Sequence, residues 1–256
     1  MATATRLYVT DDLGPGMPVE ARADQAHYLR NVLRFKGGEV VHLFNGRDGE
    51  WRARVDALGK GRARFVVEEK RRDQRTSPDL WLLYAPIKRA RHDFLIEKAV
   101  ELGVSRLLPV LTGRTQVERV KEERLQANLI EAAEQCERLD IPALEAPLAL
   151  DARLDGWPSN RRLILCAEAG AAPPIGEALA AARATPDPAR PAWAVLTGPE
   201  GGFSDAELET LRHLPFVLPV GLGPRILRAE TAAMTALAVW QSVLGDGGMR
   251  PPDRVE

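Results

Sequence analysis

At 256 residues, with 45% hydrophobic and 28% charged side chains and a formal net charge of −1, the chain has the composition of an ordinary globular protein, which excludes disordered and fibrous classes. No apolar run approaches a membrane span, and MATATRLYVTDD lacks the apolar centre of a signal peptide. The two cysteines, Cys136 and Cys166, without a CxxC or a dense His/Cys cluster, argue against a disulfide framework and a metal site, so the expectation is a cytoplasmic, reduced, two-domain protein with no membrane or metal partner.

The first elements in chain order are short alternating runs, EVVHLF, EWRARVDAL and RARFVVEE, separated by GG, NGRDG and GKG. That is the pattern of β-hairpins and predicts a small antiparallel barrel over residues 1–72. Residues 1–76 carry 15 Lys/Arg against 11 Asp/Glu, whereas the remainder is acidic. Arg30, Arg34 and Lys36 share one segment, Lys60, Arg62 and Arg64 alternate, and KRRDQR adds Arg71 and Arg72. Such a face neutralises phosphates, although a solvated surface alone gives the same composition.

QRTSPD then interrupts the periodicity as linkers do. Over 78–248, strand-like LWLLYAP, RLLPVL, RLILCAE, AWAVLTG and FVLPVG alternate with helical RHDFLIEKAVELG, KEERLQANLIEAAEQCERL, IGEALAAARA, SDAELETLR and a last helix. This alternation predicts an α/β fold with a mainly parallel sheet flanked by helices. TPDPARP, residues 185–191, reads as a surface loop. The four histidines are scattered, so no catalytic histidine is required.

The most informative segments come late. LTGPEGGF (196–203) and LPVGLGPRILRAETAAMTAL (218–237) each place a glycine-rich turn between a strand and a helix, where glycines let backbone amides approach a ligand and helix N-termini attract polar groups. Tight turns alone would not need Glu200, Arg225, Arg228 and Glu230 beside them. With no GxxxxGK[ST] and no GxGxxG opening a helix after an early strand, a nucleotide triphosphate or nicotinamide does not fit, and the pair reads as a cofactor site of another kind.

Together LTGPEGGFSDAELE and LPVGLGPRILRAETAAMTAL resemble the signature of the RsmE-type RNA methyltransferases of the SPOUT superfamily, whose C-terminal chain ties a deep trefoil knot around S-adenosylmethionine. HYLRNVLRFKGGEVVHLFNG (27–46) resembles the family's PUA-like N-terminal barrel, APIKRARHDFLIEKAVELGVSRLLPVLTGRT (85–115) the opening of its catalytic domain, and EAAEQCERLDIP (131–142) extends the similarity. Glu137 stands where glycine is expected and Ala229 where threonine is common, and neither is expected to carry chemistry.

The resemblance implies methyl transfer from S-adenosylmethionine to N3 of one uridine in small-subunit (16S) ribosomal RNA, within an assembled or nearly assembled subunit. It also implies a homodimer with the last helix near the two-fold axis. The cofactor-binding set carried over is Leu196, Thr197, Gly198, Glu200, Gly201, Gly202, Leu218, Gly221, Gly223, Ile226, Leu227 and Arg228, with the leucines and Ile226 either walling adenine or merely packing the core. Arg228 is the choice for activating substrate. Glu200 serves as a base or as an acceptor that organises its loop, and Glu230 orients Arg228 or favours the helix N-terminus. Arg30, Arg34, Lys36, Arg71, Arg72, Lys88, Arg89 and Arg114 are the RNA-contact candidates. Two rival functions are ribose 2′-O-methylation, against which GPRILRAET argues because a serine-leucine-asparagine element is absent, and a catalytically silent RNA-binding assembly protein.

Overall fold

Alternate side chains along the first strands are buried, and this period of two builds the N-terminal sheet. A computed structural model describes residues 5–116, 121–167, 172–184 and 192–250. In it, β1 (Thr5–Tyr8), β3 (Val40–Phe44), β4 (Glu50–Gly59), β5 (Arg62–Arg72) and β2 (Pro18–Glu20) pair in that order. Val41 and Leu43, Ala53 and Val55, and Phe65 and Val67 point to one face and form its core. The β3–β4 and β4–β5 pairs are antiparallel, as the hairpin pattern requires. β1 instead runs parallel to β3, so the sheet is mixed. The long connection between them, which holds β2, α1 (Ala23–His27) and a π-helical turn (Tyr28–Val32), is what makes a parallel pairing possible.

The chain divides into two units, one grouping Met1–Thr76 with Ala133–Ile141 and the other Ser77–Ala132 with Pro142–Pro252. Within the first, the Arg6 guanidinium donates to the carbonyls of Ala133, Glu134 and Arg138 at 2.9–3.0 Å, occupying acceptors that a helix C-terminus leaves open. That helix is α3 (Glu122–Gln135), and two residues beyond it Glu137 has φ +64°, the left-handed conformation that glycine adopts without cost. Glycine is the residue expected there for this backbone reason.

In the second unit the strands are β6 (Leu80–Tyr84), β7 (Arg106–Leu111), β8 (Ala143–Leu144), β9 (Leu148–Ala149), β10 (Arg161–Cys166), β11 (Ala192–Thr197) and β12 (Val217–Val220). The order is β12-β10-β11-β6-β7-β8, with β9 also on β7, and every pairing is parallel. Helices α2 (Arg89–Glu101), α4 (Leu150–Leu154), α5 (Ile175–Ala184), α6 (Asp205–His213) and α7 (Ala229–Val243) complete it. This is the mainly parallel sheet flanked by helices. β8, β9 and α4 carry too few residues for a readable period, and the expected loop at 185–191 lies outside the described residues.

One backbone crossing positions the site. Gly221, leaving β12, donates to the Pro173 carbonyl at 2.8 Å and accepts from Ile175 N at 3.0 Å. A Cβ at 221 would lie 3.3 Å from the Ala172 carbonyl, so glycine lets the second turn lie against the segment between β10 and α5.

Candidate functional site

The carboxyl ends of β10, β11 and β12 and the loop after β7 surround one cleft, the place where parallel sheets hold ligands. Cys166 and Ala167 end β10; Thr197, Gly198, Gly201, Gly202 and Phe203 follow β11; Leu222, Gly223, Arg225, Ile226 and Leu227 follow β12. Arg114, Leu208, Ala229 and Ala232 complete the wall. Among the described residues, two arginines and no carboxylate line it, with apolar side chains between them. Burial pushes the Cys166 thiol up to about 12, so it stays protonated and acts as apolar wall.

Glycines shape the first turn. Gly202 has φ +66°, and a Cβ at Gly198 would stand 3.0 Å from the Phe203 ring. Glu207, in the first turn of α6, fixes this loop to the one after β7. One carboxylate oxygen accepts from Ser204 N at 2.7 Å, closing a capping box, and the other accepts from Gly113 N at 2.8 Å. Burial works against the charge on Glu207, but the Gly113 and Ser204 amides outweigh it and hold the carboxyl below the usual range. Next to Gly113, Arg114 Nη1 donates to the Gly201 carbonyl at 2.9 Å.

The chain that builds this site is similar to proteins of known family. The profile of the RNA methyltransferase domain matches residues 75–241 and that of the RNA methyltransferase PUA domain residues 22–68. A ribosomal RNA small subunit methyltransferase E from Rickettsia conorii is 34% identical over 239 residues, covering 91% of this chain and 93% of its own length. The chain belongs to the ribosomal RNA small subunit methyltransferase E family. A structure of a Neisseria gonorrhoeae member of the family, bound to S-adenosylmethionine, superposes with TM-score 0.83 at 29% identity over 96% of this chain and 100% of that one. A Legionella pneumophila protein in complex with the same cofactor gives 0.82 at 33% identity, again over 96% and 100%. The fold is accordingly SPOUT-type with a PUA-like N-terminal unit.

Among the residues expected from the family signature, Thr197, Gly198, Gly201, Gly202, Gly223, Ile226 and Leu227 line the cleft. Leu196 does not; it is fully buried with Leu83, Leu108 and Leu165 and packs the core. Leu218 is a half-buried strand residue opposite Ile164, and Gly221 serves the backbone crossing. Ala229, expected to be neutral, is on the wall, as is Phe203, which no pattern in the sequence singled out.

Two of the polar residues need correction, and the fold chooses between the two roles expected of Glu230. Glu230 makes no bond to Arg228 among the described residues; it is buried in the first turn of α7, the place from which it favours the helix N-terminus, with one oxygen 3.7 Å from Arg91 Nε. Glu200 is exposed and makes no side-chain bond among the described residues, so the carboxylate that organises the glycine loop is Glu207. Arg72 is engaged by buried Glu50, at 3.0 and 2.6 Å, and by the Glu137 carbonyl, which makes it a folding residue instead of a phosphate contact. Arg228 is exposed at the N-cap of α7 with no side-chain cap bond.

Of the remaining cations, Arg30, Arg34 and Lys36 are exposed in the first unit, Arg34 at φ +59°, and Arg71 is half-buried, 3.9 Å from Glu69. Lys88 and Arg89 are exposed at the start of α2 in the second unit. Arg114 is exposed at the edge of the cleft, where it is bonded to the first glycine turn.

Proposed function

We propose that the protein transfers a methyl group from S-adenosylmethionine to N3 of a uridine in small-subunit ribosomal RNA, and that it acts as a homodimer. The observation that carries this reading is the cleft itself: glycine turns that open the backbone, apolar walls suited to a nucleoside, two arginines on its described wall, and a family in which a member is bound to this cofactor. The cofactor supplies a sulfonium-bound, electrophilic methyl group.

Uridine N3 bears a proton in its neutral form and is a weak nucleophile. Methylation therefore needs that proton removed and the charge that spreads over O2 and O4 stabilised. Arg228, exposed at the N-cap of α7 and without a side-chain cap bond, supplies a guanidinium together with the positive end of the helix dipole for the second task. Glu200, exposed on the first turn and unpaired among the described residues, is the carboxylate available for the first. N3 lies in the pairing edge of a base, so the target is unpaired or drawn from its stack; exposed cations on each unit, Arg30, Arg34 and Lys36 on the first and Lys88 and Arg89 on the second, are suited to contact RNA phosphates.

The dimer reading rests on α7. Glu230, Ala233, Ala236, Leu237, Trp240 and Gln241 are buried within the chain, while Ala238 is exposed and Met234 and Val239 are only half covered. Titration calorimetry with S-adenosylmethionine tests the cofactor half of the proposal: saturable one-site binding is expected, and no binding would favour a silent RNA-binding protein.

A further inference from the structure

Among the described residues, Arg114 is the cation at the cleft whose position is fixed by several contacts. Its stem lies over Gly201, so close that a Cβ on that glycine would be 3.5 Å from Arg114 Cβ, and Nη1 is held by the Gly201 carbonyl at 2.9 Å. Its backbone neighbour Gly113 donates to Glu207 at 2.8 Å, and Thr112 N donates to Thr115 Oγ1 at 2.9 Å, which closes the turn on its other side. A guanidinium has five N–H donors in a planar fork, and one of them is engaged here. Arg225, the other cation of the wall, makes no side-chain bond among the described residues that would fix its direction.

We propose that Arg114 recognises the carboxylate of the bound cofactor, and that Glu207 is the positioning residue that aims it. This rests on the cofactor reading above. The chemistry selects one group: the sulfonium and the ammonium of S-adenosylmethionine repel a guanidinium, and the carboxylate is its single anionic group. The fork that remains on Arg114 fits a carboxylate in two-point fashion, and among the described residues no Asp or Glu lines the wall to compete for it. Glu207 acts through Arg114 because its two oxygens tie the Arg114 loop and the first glycine turn into one edge.

Two neutral-sulfur ligands separate this role from general shaping of the cleft. S-adenosylhomocysteine has the carboxylate; methylthioadenosine has the same nucleoside and lacks the amino-acid chain. In titration calorimetry, Arg114→Ala is expected to weaken S-adenosylhomocysteine by about 30-fold and to change methylthioadenosine by less than about twofold. Arg114→Lys should recover part of the loss, since a point charge replaces the fork. Glu207→Gln, which keeps one acceptor of two, should weaken S-adenosylhomocysteine by about fivefold and spare methylthioadenosine. Equal losses for both ligands in Arg114→Ala would overturn the assignment, because the arginine would then only support the turn; unchanged affinity for both would overturn it too. Wild-type protein that binds neither ligand would contradict the cofactor reading itself, and the assignment with it.

Discussion

Arg114 and Gly201 meet across 87 residues of sequence, guanidinium to carbonyl, at 2.9 Å. The contact makes the loop after β7 part of the same cleft edge as the first glycine turn. A residue expected to contact RNA thereby also lines the cleft.

Gly198 sets the room available on that edge. A Cβ there would stand 3.0–3.3 Å from the Phe203 ring, and Phe203 lines the cleft. Gly198→Ala should push the ring and weaken S-adenosylmethionine binding by about tenfold, at a stability cost of about 1–2 kcal/mol. Calorimetry and a thermal melt measure the two together. Unchanged affinity would place the cofactor elsewhere.

Arg228→Ala should spare the fold, because the side chain is exposed and caps nothing. The single-turnover rate of methylation is expected to fall by about a hundredfold, with cofactor and RNA affinities retained, as for a group that meets charge developing in the transition state. A parallel loss of RNA affinity and rate would make Arg228 a phosphate contact instead.

His92 gives a pH test of the buried structure. It is 3% exposed with Nε2 3.2 Å from the Tyr84 hydroxyl, and burial pushes its pKa down to about 4. The unfolded chain, with an ordinary histidine near 6.5, takes up the proton first. Stability from this group is therefore complete above about pH 6.5 and is lost as pH falls toward 4. Between pH 7 and 5 the loss is about 2 kcal/mol, and in His92→Gln that part of the slope should vanish in urea titrations at the two pH values.

Fold and site were legible to different depths, and locality explains the difference. Strands such as RLILCAE and AWAVLTG carry runs long enough to read, and both glycine turns announce themselves through residues adjacent in sequence. The parallel β1–β3 pairing depends on a partner more than 30 residues away, and no local pattern encodes it. Ser204 and Glu207 spell a capping box that can be read in FSDAELE, yet the second bond of Glu207, to Gly113, spans 94 residues. Glu230 shows the same limit. Its place in the first turn of α7 is evident from the sequence, and only the fold reveals that its neighbour is Arg91 and not Arg228.

The dimer is best tested at Ala238 and Val239. Ala236 is fully buried within its own chain, so a glutamate there would unfold the protein and report nothing about association. Ala238→Glu and Val239→Glu lie on the less covered side of α7. Light scattering at micromolar concentration should give a dimer for the wild type and monomers for these variants, with far-ultraviolet circular dichroism retained. A wild-type monomer that methylates RNA at full rate would contradict the dimer.

Mapping the methylated nucleotide addresses the reaction itself. Small-subunit ribosomal RNA, naked and within assembled subunits, would be incubated with the protein and isotopically labelled S-adenosylmethionine, then digested and analysed by mass spectrometry. The expected product is a single labelled methyl on N3 of one uridine, abolished by Arg228→Ala. Label on a ribose 2′-oxygen, on another base, or on no nucleotide in either substrate would contradict uridine-N3 methylation.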